Sequence, residues 1–490
     1  MRVILLSILS SAVAFGGLAS AQDERPNILF CMADDWGWPH AGAYGDEAVK
    51  TPNFDRLAEE GALFRHVYVS SPSCTPSRNA VITGKYFWEL GPGANLWSTL
   101  PAEHESFIHL LRDSGYVTGR SKNKQWGPGK VDSWEAHHGD HPVTTLYPSI
   151  GEFFEKTDAG EKPFFYWLAT SDPHRGYKKG SGKEAGIDPA KAHLFAHYPD
   201  AEEVRNDVAD YYFEVQRWDS LVGDALAELE KRGLLDNTIV IMTGDHGMPF
   251  PRCKGNLYDS GSRVPFAVRW HGGAKAGRTV DDFVSLTDVA PTLLELTGTP
   301  VPENMTGTSF ASLLQAEGSG ILDEDGRPDI VFGRERHVPA QEAPNMNGYP
   351  SRALRTRDYL YIRNYQPDLW PAGTGSENTN RPGQWFADCD GGPTKTYIFE
   401  NREKDEAHAR AFALSFAKRP AEELYYLPDD PDQIENLAAD PAKAEILETL
   451  GARLDERLEV LNDPRATNPE TTVFDGHPYF GGGGGKKGGK

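Results

Sequence analysis

Three apolar runs in this chain of 490 residues stop at acidic or imidazole side chains. Ile28 to Ala33 stops at Asp34-Asp35. Pro163 to Ala169 stops at Ser171-Asp172-Pro173-His174, and Thr238 to Met242 at Gly244-Asp245-His246. Continuous runs of this kind, without polar alternation, read as strands buried on both faces. Helical patterns lie between them. Thr51-Pro52 opens one, with Thr as N-cap and Pro at the first helical position; Phe54, Leu57 and Ala58 share its inner face and Gly61 ends it. A longer pattern runs from Glu202 to Arg232, where Val204, Val208, Tyr211, Val215, Trp218, Val222, Ala225 and Leu229 recur at helical steps and Gly233 is placed as terminator. The alternation predicts an α/β fold, a large mainly parallel sheet between helices. Ligand sites in such sheets form at the carboxyl edge of the strands. That edge would gather Asp34, Asp35, His174, Asp245 and His246 from distant parts of the chain.

From about Tyr349 the pattern changes. Residues 353–356 and 359–363 read as a hairpin turning at Arg357-Asp358, residues 423–427 as a further strand, and Lys443 to Leu461 as an amphipathic helix. The expected division is a leader at 1–21, a catalytic domain at 22–348, a smaller α+β subdomain with an antiparallel sheet at 349–465, and a Gly/Lys-rich disordered tail at 466–490. The leader has Arg2, an apolar core and the small residues Ala19-Ser20-Ala21, the pattern of a secretory signal. The protein is therefore expected outside the cytoplasm, secreted or periplasmic, with no membrane span. The net charge of −22 argues against nucleic acid as a partner. Four cysteines, Cys31, Cys74, Cys253 and Cys389, are too few for a disulfide framework, although one bridge is open to them.

Asp34-Asp35 alone reads equally well as a solvated turn. With Asp245-His246 at a second strand end, it becomes a candidate site for a hard divalent cation, which takes several oxygen ligands. The segment Cys74-Thr75-Pro76-Ser77-Arg78, continuing to Thr83-Gly84, adds a helix start: Pro76 suits a first turn, so residue 74 would sit where free N–H groups and the helix dipole favour an anion. Here the chain resembles the sulfatase family, whose signature is Cys-x-Pro-Ser-Arg followed by Thr-Gly. Arg25-Pro26-Asn27-Ile28, Thr51-Pro52-Asn53-Phe54-Asp55, Gly244-Asp245-His246-Gly247, Lys254 with Leu257-Tyr258, and Glu423-Leu424-Tyr425 extend the resemblance over nearly the whole chain.

The resemblance implies an alkaline-phosphatase-like fold and a formylglycine made from Cys74 by a maturation enzyme. One hydroxyl of its hydrate attacks sulfur, and the other later expels sulfate. It implies one calcium ion, magnesium being less favoured, on Asp34, Asp35, Asp245, His246 and the residue at Cys74. Arg78 would hold the oxyanion, and His174 and Lys254 would stand on the leaving-group side. Gly247-Met248-Pro249-Phe250-Pro251 with Asn256-Leu257-Tyr258, Asp172-Pro173-His174-Arg175, and Phe332-Gly333 leading to His337 resemble the sulfamidase (heparan N-sulfatase) branch. They imply an exo-acting pocket for a sulfated saccharide, with Arg175 and His337 as candidate sugar contacts.

One segment departs from the family pattern. Asn123 and Gln125 stand where the family has Lys and His, and an amide cannot take a proton at neutral pH. Lys124 is expected to replace the missing charge, with Lys122, His104, His137 and His138 as other sources. Two other functions stay open: a phosphomonoester or phosphonate hydrolase of the same superfold, and a sulfated-glycan-binding protein with impaired turnover.

Overall fold

The computed structural model describes residues 25–121, 129–323, 326–381 and 383–481. Among them, strands β1 (Asn27–Ala33), β2 (Ala62–Tyr68), β3 (Val117–Arg120), β4 (Phe164–Ala169), β5 (Thr238–Gly244), β6 (Phe266–Arg269) and β7 (Arg278–Ser285) form one sheet in the order β3-β4-β1-β5-β6-β2-β7. Only β6 runs against its neighbours. Strands β4, β1 and β5 are adjacent and parallel, so their carboxyl ends share one edge. The apolar runs follow from burial on both faces. Leu29, Cys31 and Ala33 of β1 pack into one core and Ile28, Phe30 and Met32 into the other. Helices α1 (Pro52–Glu60) and α3 (Glu202–Lys231) cover the first face, and α2 (Cys74–Thr83) lies on the second.

Thr51 stands at the N-cap of α1 with Pro52 after it, but its hydroxyl does not cap the helix. It accepts from the Gly42 N–H at 2.9 Å and donates to Asp55 Oδ1 at 3.1 Å, tying the preceding loop to the first turn. Gly233 follows α3 at φ 69°, a left-handed angle that suits glycine.

The second sheet holds β8 (Asp329–Arg334), β9 (Ser351–Thr356), β10 (Tyr359–Asn364) and β11 (Glu422–Tyr426), all antiparallel. Its first strand precedes the boundary expected at 349, so the smaller unit recruits chain from the segment assigned to the catalytic domain. One sheet face, with Val331, Leu354, Tyr361 and Leu424, packs on Leu450, Leu454 and Leu458 of α4 (Ala444–Val460). The other packs on Tyr68, Leu257, Tyr258 and Phe283 of the larger unit.

Residues 466–481, expected within the tail, are held against the body of the protein. Phe474 is buried with Tyr86, Phe87 and Trp88, and its carbonyl accepts from Asn95 Nδ2 at 3.0 Å. Arg336 donates to the carbonyls of His477 and Pro478, and the Phe480 N–H donates to the Trp97 carbonyl. These aromatic and backbone anchors hold residues 466–481 against the body, which the Gly/Lys composition further on conceals. Residues 482–490 and the leader at 1–21 lie outside the described residues. No disulfide joins the four cysteines, all buried and free. Among the described residues no helix is long and apolar enough to cross a membrane.

Candidate active site

Strand ends and one helix start build the site. Asp34 and Asp35 follow β1, Asp245 and His246 follow β5, and Cys74 is the first residue of α2, with Ser73 as extended N-cap. Asp35 has φ 74°, and its N–H donates to Asp245 Oδ1 at 2.9 Å. Non-glycine residues rarely hold that backbone region. The bend turns Asp35 back toward β5 instead of out along the strand. The Asp245 N–H donates to the Ala33 carbonyl, continuing the ladder one step past the sheet.

The acidic groups converge on Cys74. Ligand atoms of Asp34, Cys74 and Asp245 lie within 4.8 Å of one another, as do those of Asp35, Cys74 and His246. His246 Nε2 is 3.2 Å from Cys74 Sγ and 3.3 Å from Asp35 Oδ1. Its Nδ1 faces the Gly247 carbonyl at 3.0 Å. A carbonyl only accepts, so the proton sits on Nδ1 and Nε2 turns its lone pair toward the cluster. Three carboxylates and one imidazole lone pair form a donor set for a hard divalent cation.

Cations close the site. Arg78, fully buried, donates from Nε to Asp245 Oδ2 at 2.9 Å and pairs through Nη2 with Asp34 Oδ1 at 3.3 Å. Lys254 Nζ lies 2.9 Å from Asp35 Oδ2 and 3.2 Å from Asp390 Oδ2. Burial alone would strip the Lys254 proton, but Asp35 and Asp390 outweigh it and hold the ammonium charged. Burial raises the Cys74 thiol well above its ordinary range; Lys254 opposes this and the three carboxylates add to it. An unmodified Cys74 is thus a protonated thiol, a poor nucleophile.

His174, from the loop after β4, stands with Nε2 3.9 Å from Asp35 Oδ2. Its Nδ1 lies 2.5 Å from the Arg175 carbonyl, which keeps that nitrogen protonated. His337 is buried, with Nδ1 2.8 Å from Ser73 Oγ. Burial, then Lys254 and Arg334, push its imidazole well below the ordinary range, so it is neutral. Both histidines line a cavity of about 540 Å³ whose floor holds Cys74, Asp34 and Lys254.

Arg175 does not line that cavity. Its fork closes on Asp207 with bonds of 2.8 and 2.7 Å, its Nε donates to the Pro249 carbonyl, and its plane lies over Phe250 at 4.1 Å. The expected sugar contact is corrected on that ground: the donors are already taken by a buried carboxylate. Lys124, with Asn123 and Gln125, lies outside the described residues. Of the other sources of charge, His104 is buried, and His138 donates from Nε2 to the Ala102 carbonyl at 2.7 Å and stacks on Trp134; neither lines the cavity.

Sequence reasoning missed Asp390, which grips Lys254 and shares a cluster with Asp35 and His174. Burial raises its carboxyl, but Lys254 and then His174 outweigh that and hold it well below the usual carboxylate range. Its one sequence signal is the acidic, glycine-rich stretch Asp388-Cys389-Asp390-Gly391-Gly392. Trp97, Arg381 and Tyr479 of the cavity wall were missed as well.

A family model described as Sulfatase matches residues 26–299. An ulvan-active sulfatase of Formosa agariphila is 30% identical over 88% of this chain and 80% of its own. N-sulphoglucosamine sulphohydrolase of Homo sapiens is 28% identical, with 93% of each chain covered. A solved structure in complex with its substrate D-glucosamine-2-N,6-O-disulfate matches with a TM-score of 0.63 at 20% identity, over 91% of this chain and 100% of the other. Phosphonate monoester hydrolase of Agrobacterium radiobacter matches with a TM-score of 0.56 at 18% identity, over 89% and 95%. At such identities the structural likeness speaks for the fold alone, the alkaline-phosphatase-like sandwich. With more than half of its residues matched by the family model and a relative 30% identical along 88% of its length, the chain belongs to the sulfatase family of sulfuric-ester hydrolases and resembles its sulfamidase branch.

Proposed function

We propose that this protein is an exported sulfatase that removes sulfate groups from sulfated carbohydrate, acting on saccharide ends through a formylglycine hydrate derived from Cys74. The observation that carries the reading is the position of Cys74. It begins a ten-residue helix and lines the cavity, with three carboxylates, an imidazole, Arg78 and Lys254 around it. The names of the relatives, an ulvan-active sulfatase and an N-sulphoglucosamine sulphohydrolase, support carbohydrate as the substrate class. The cavity volume suits a small ligand, which supports exo action. The Arg2-led apolar leader supports export to the periplasm or medium.

Four carboxylates, Asp34, Asp35, Asp245 and Asp390, face two cations, Arg78 and Lys254, so the protein alone would repel a sulfate ester. A calcium ion, favoured over magnesium, held by Asp34, Asp35, Asp245 and His246, would restore balance and draw charge from the sulfate oxygens. The chain's own groups then divide the work. The N–H groups opening α2 face the sulfate. Arg78 pins Asp34 and Asp245 and adds positive charge where the oxyanion develops. His174, with Nδ1–H fixed on a carbonyl, can release a proton from Nε2 to the leaving atom and remain a neutral imidazole. Lys254 stabilises the same atom, and Lys124 supplies the charge that Asn123 and Gln125 lack. Because Cys74 is 3% exposed, its maturation enzyme must meet the segment before it is buried.

The test is intact-mass detection of aldehyde at residue 74, then turnover of a panel of defined sulfated saccharides beside matched phosphate esters. Conversion with turnover of sulfate, lost in Cys74→Ala, is the expected result. Preference for phosphate esters, or full activity in Cys74→Ala, rejects the reading.

A further inference from the structure

The wall of this cavity contains a cation that no carboxylate among the described residues pairs with. Arg381 is half-buried and lines the cavity. Its Nε donates to the neutral Gln384 Oε1 at 3.0 Å, and its guanidinium lies 5.6 Å from the Tyr479 ring centre. Among the described residues no carboxylate forms an ion pair with it. Asp388 feels its charge but is committed to Arg334 Nη2 and the Val338 N–H, each at 2.6 Å. Lys395, the other cation of this wall, is spent on the carbonyls of Phe386 and Cys389. In a chain with 72 acidic and 50 basic residues, an arginine with neutral partners in the lining of the cavity that holds Cys74 is informative. The buried arginines Arg175, Arg334 and Arg352 close on carboxylates, and Arg252, Arg278 and Arg336 donate to backbone carbonyls; Arg381 has the Gln384 amide oxygen as acceptor.

Two aromatic residues of the same cavity, Trp97 and Tyr479, are held in place by the surrounding chain. Trp97 and Tyr479 pack against the small apolar cluster that includes Cys74. The Trp97 N–H donates to Thr75 Oγ1 at 3.1 Å, beside the nucleophile, and its carbonyl accepts from the Phe480 N–H at 2.8 Å. Trp97 holds φ 52°, a left-handed angle that bulky non-glycine residues rarely adopt. The catalytic helix and the C-terminal segment thus fix a strained tryptophan at the cavity wall, with Tyr479 and Arg381 on the same wall.

We propose that Trp97, Tyr479 and Arg381 form a second anion subsite. The aromatic faces would take the C–H face of a sugar ring, and the Arg381 fork would take an oxyanion on the same saccharide, a carboxylate or a second sulfate. This rests on the sulfatase reading above and narrows it: the preferred substrate carries an acidic group besides the sulfate at Cys74. A planar fork that meets an oxyanion bidentately makes this discrimination better than a lysine would.

The experiment uses the full chain. Binding to the Cys74→Ala protein is measured by calorimetry for monosulfated glucosamine and galactose, the same sugars with a second sulfate, and monosulfated disaccharides ending in a uronic acid. The same panel is then run for turnover with the matured enzyme. The doubly anionic members should bind at least ~10-fold better than their singly charged partners. In Arg381→Ala that ratio should fall to about 1, with Arg381→Lys between. The second-sulfate and uronic-acid arms show which oxyanion is read, and a preference in either supports the subsite. Equal binding of singly and doubly charged sugars by the parent protein, or a ratio that survives Arg381→Ala, overturns it. Absence of turnover across the panel would reject the sulfatase reading, while the binding ratios would still decide the subsite.

Discussion

Arg78 Nε donates to Asp245 Oδ2 at 2.9 Å, and both side chains are fully buried. The same guanidinium reaches Asp34, so one cation from α2 ties the ends of β1 and β5 together. Removing one partner of a buried pair leaves an uncompensated charge, at about 3–5 kcal/mol. Arg78→Ala should therefore lower the thermal midpoint and reduce kcat by at least ~100-fold. Arg78→Lys keeps the charge but loses the fork, and should recover stability more than turnover. Parallel loss of neither quantity in Arg78→Ala would remove Arg78 from both roles.

Metal removal should act on stability as well as activity. Asp34 with Asp245, and Asp35 with His246, form two groups that meet at Cys74, each able to hold an ion. A ligand that binds only the folded chain stabilises it by about 2.7 kcal/mol at a concentration 100 times its Kd. Dialysis against a chelator should lower the midpoint and abolish turnover, with calcium restoring both at lower concentration than magnesium. Asp245→Asn should blunt the calcium-dependent rise in the midpoint. An unchanged midpoint with and without calcium would show that these groups hold no structural ion.

Arg175 makes a stability prediction in place of a binding one. Asp207 accepts both nitrogens of its fork and also the Thr394 N–H and hydroxyl, at 3.1 and 2.7 Å. Arg175→Ala strands a buried carboxylate and should cost about 3–5 kcal/mol in urea unfolding. Any KM change should follow the loss of fold. A raised KM in an equally stable variant would return Arg175 to the substrate.

The legible parts of the site were those carried by local pattern. An apolar run with both faces buried announces a central strand, and the polar residue that stops it marks the carboxyl edge; Asp34, Asp35, Asp245 and His246 could be placed from that alone. Cys74 was readable through the resemblance of Cys74-Thr75-Pro76-Ser77-Arg78 to the sulfatase signature, with Pro76 suiting a helix start. Asp390 has neither advantage. It sits on an irregular loop, and its role comes from Lys254, far off in sequence. The same holds for β8, whose pairing with β9 is non-local, and for Phe474, a single aromatic anchor amid Gly and Pro. Arg175 misled because an arginine beside a candidate catalytic histidine looks like a ligand group until its carboxylate partner on α3 is seen.

Asp390 also sets up a prediction about Lys254. The ammonium is shared between Asp35 and Asp390, so it is aimed from both sides. Asp390→Asn removes one anchor without changing shape. Turnover should fall by about 10-fold, mainly in kcat, because Lys254 acts on the leaving atom. Asp390→Glu should restore part of it. A change confined to KM would make Asp390 a sugar contact instead.

Buried histidines give the fold a pH dependence of definite sign. Burial, then Arg263 and Arg355, hold His66 at about 3. Burial pushes His40 and His197 well below their ordinary value, with His193 and Arg252 adding to it. In the unfolded chain each titrates near ~6.5. Below that value the unfolded state binds protons that the folded state refuses, so stability falls as the medium is acidified. Each such histidine contributes up to about 1.4 kcal/mol per pH unit, and for His66 the loss continues down toward its folded value. Urea unfolding between about pH 7.5 and pH 5 should show the decline. His66→Phe, which removes one of these protons from the balance, should make it shallower. If parent and variant share one slope across that window, His66 is not held neutral by its surroundings.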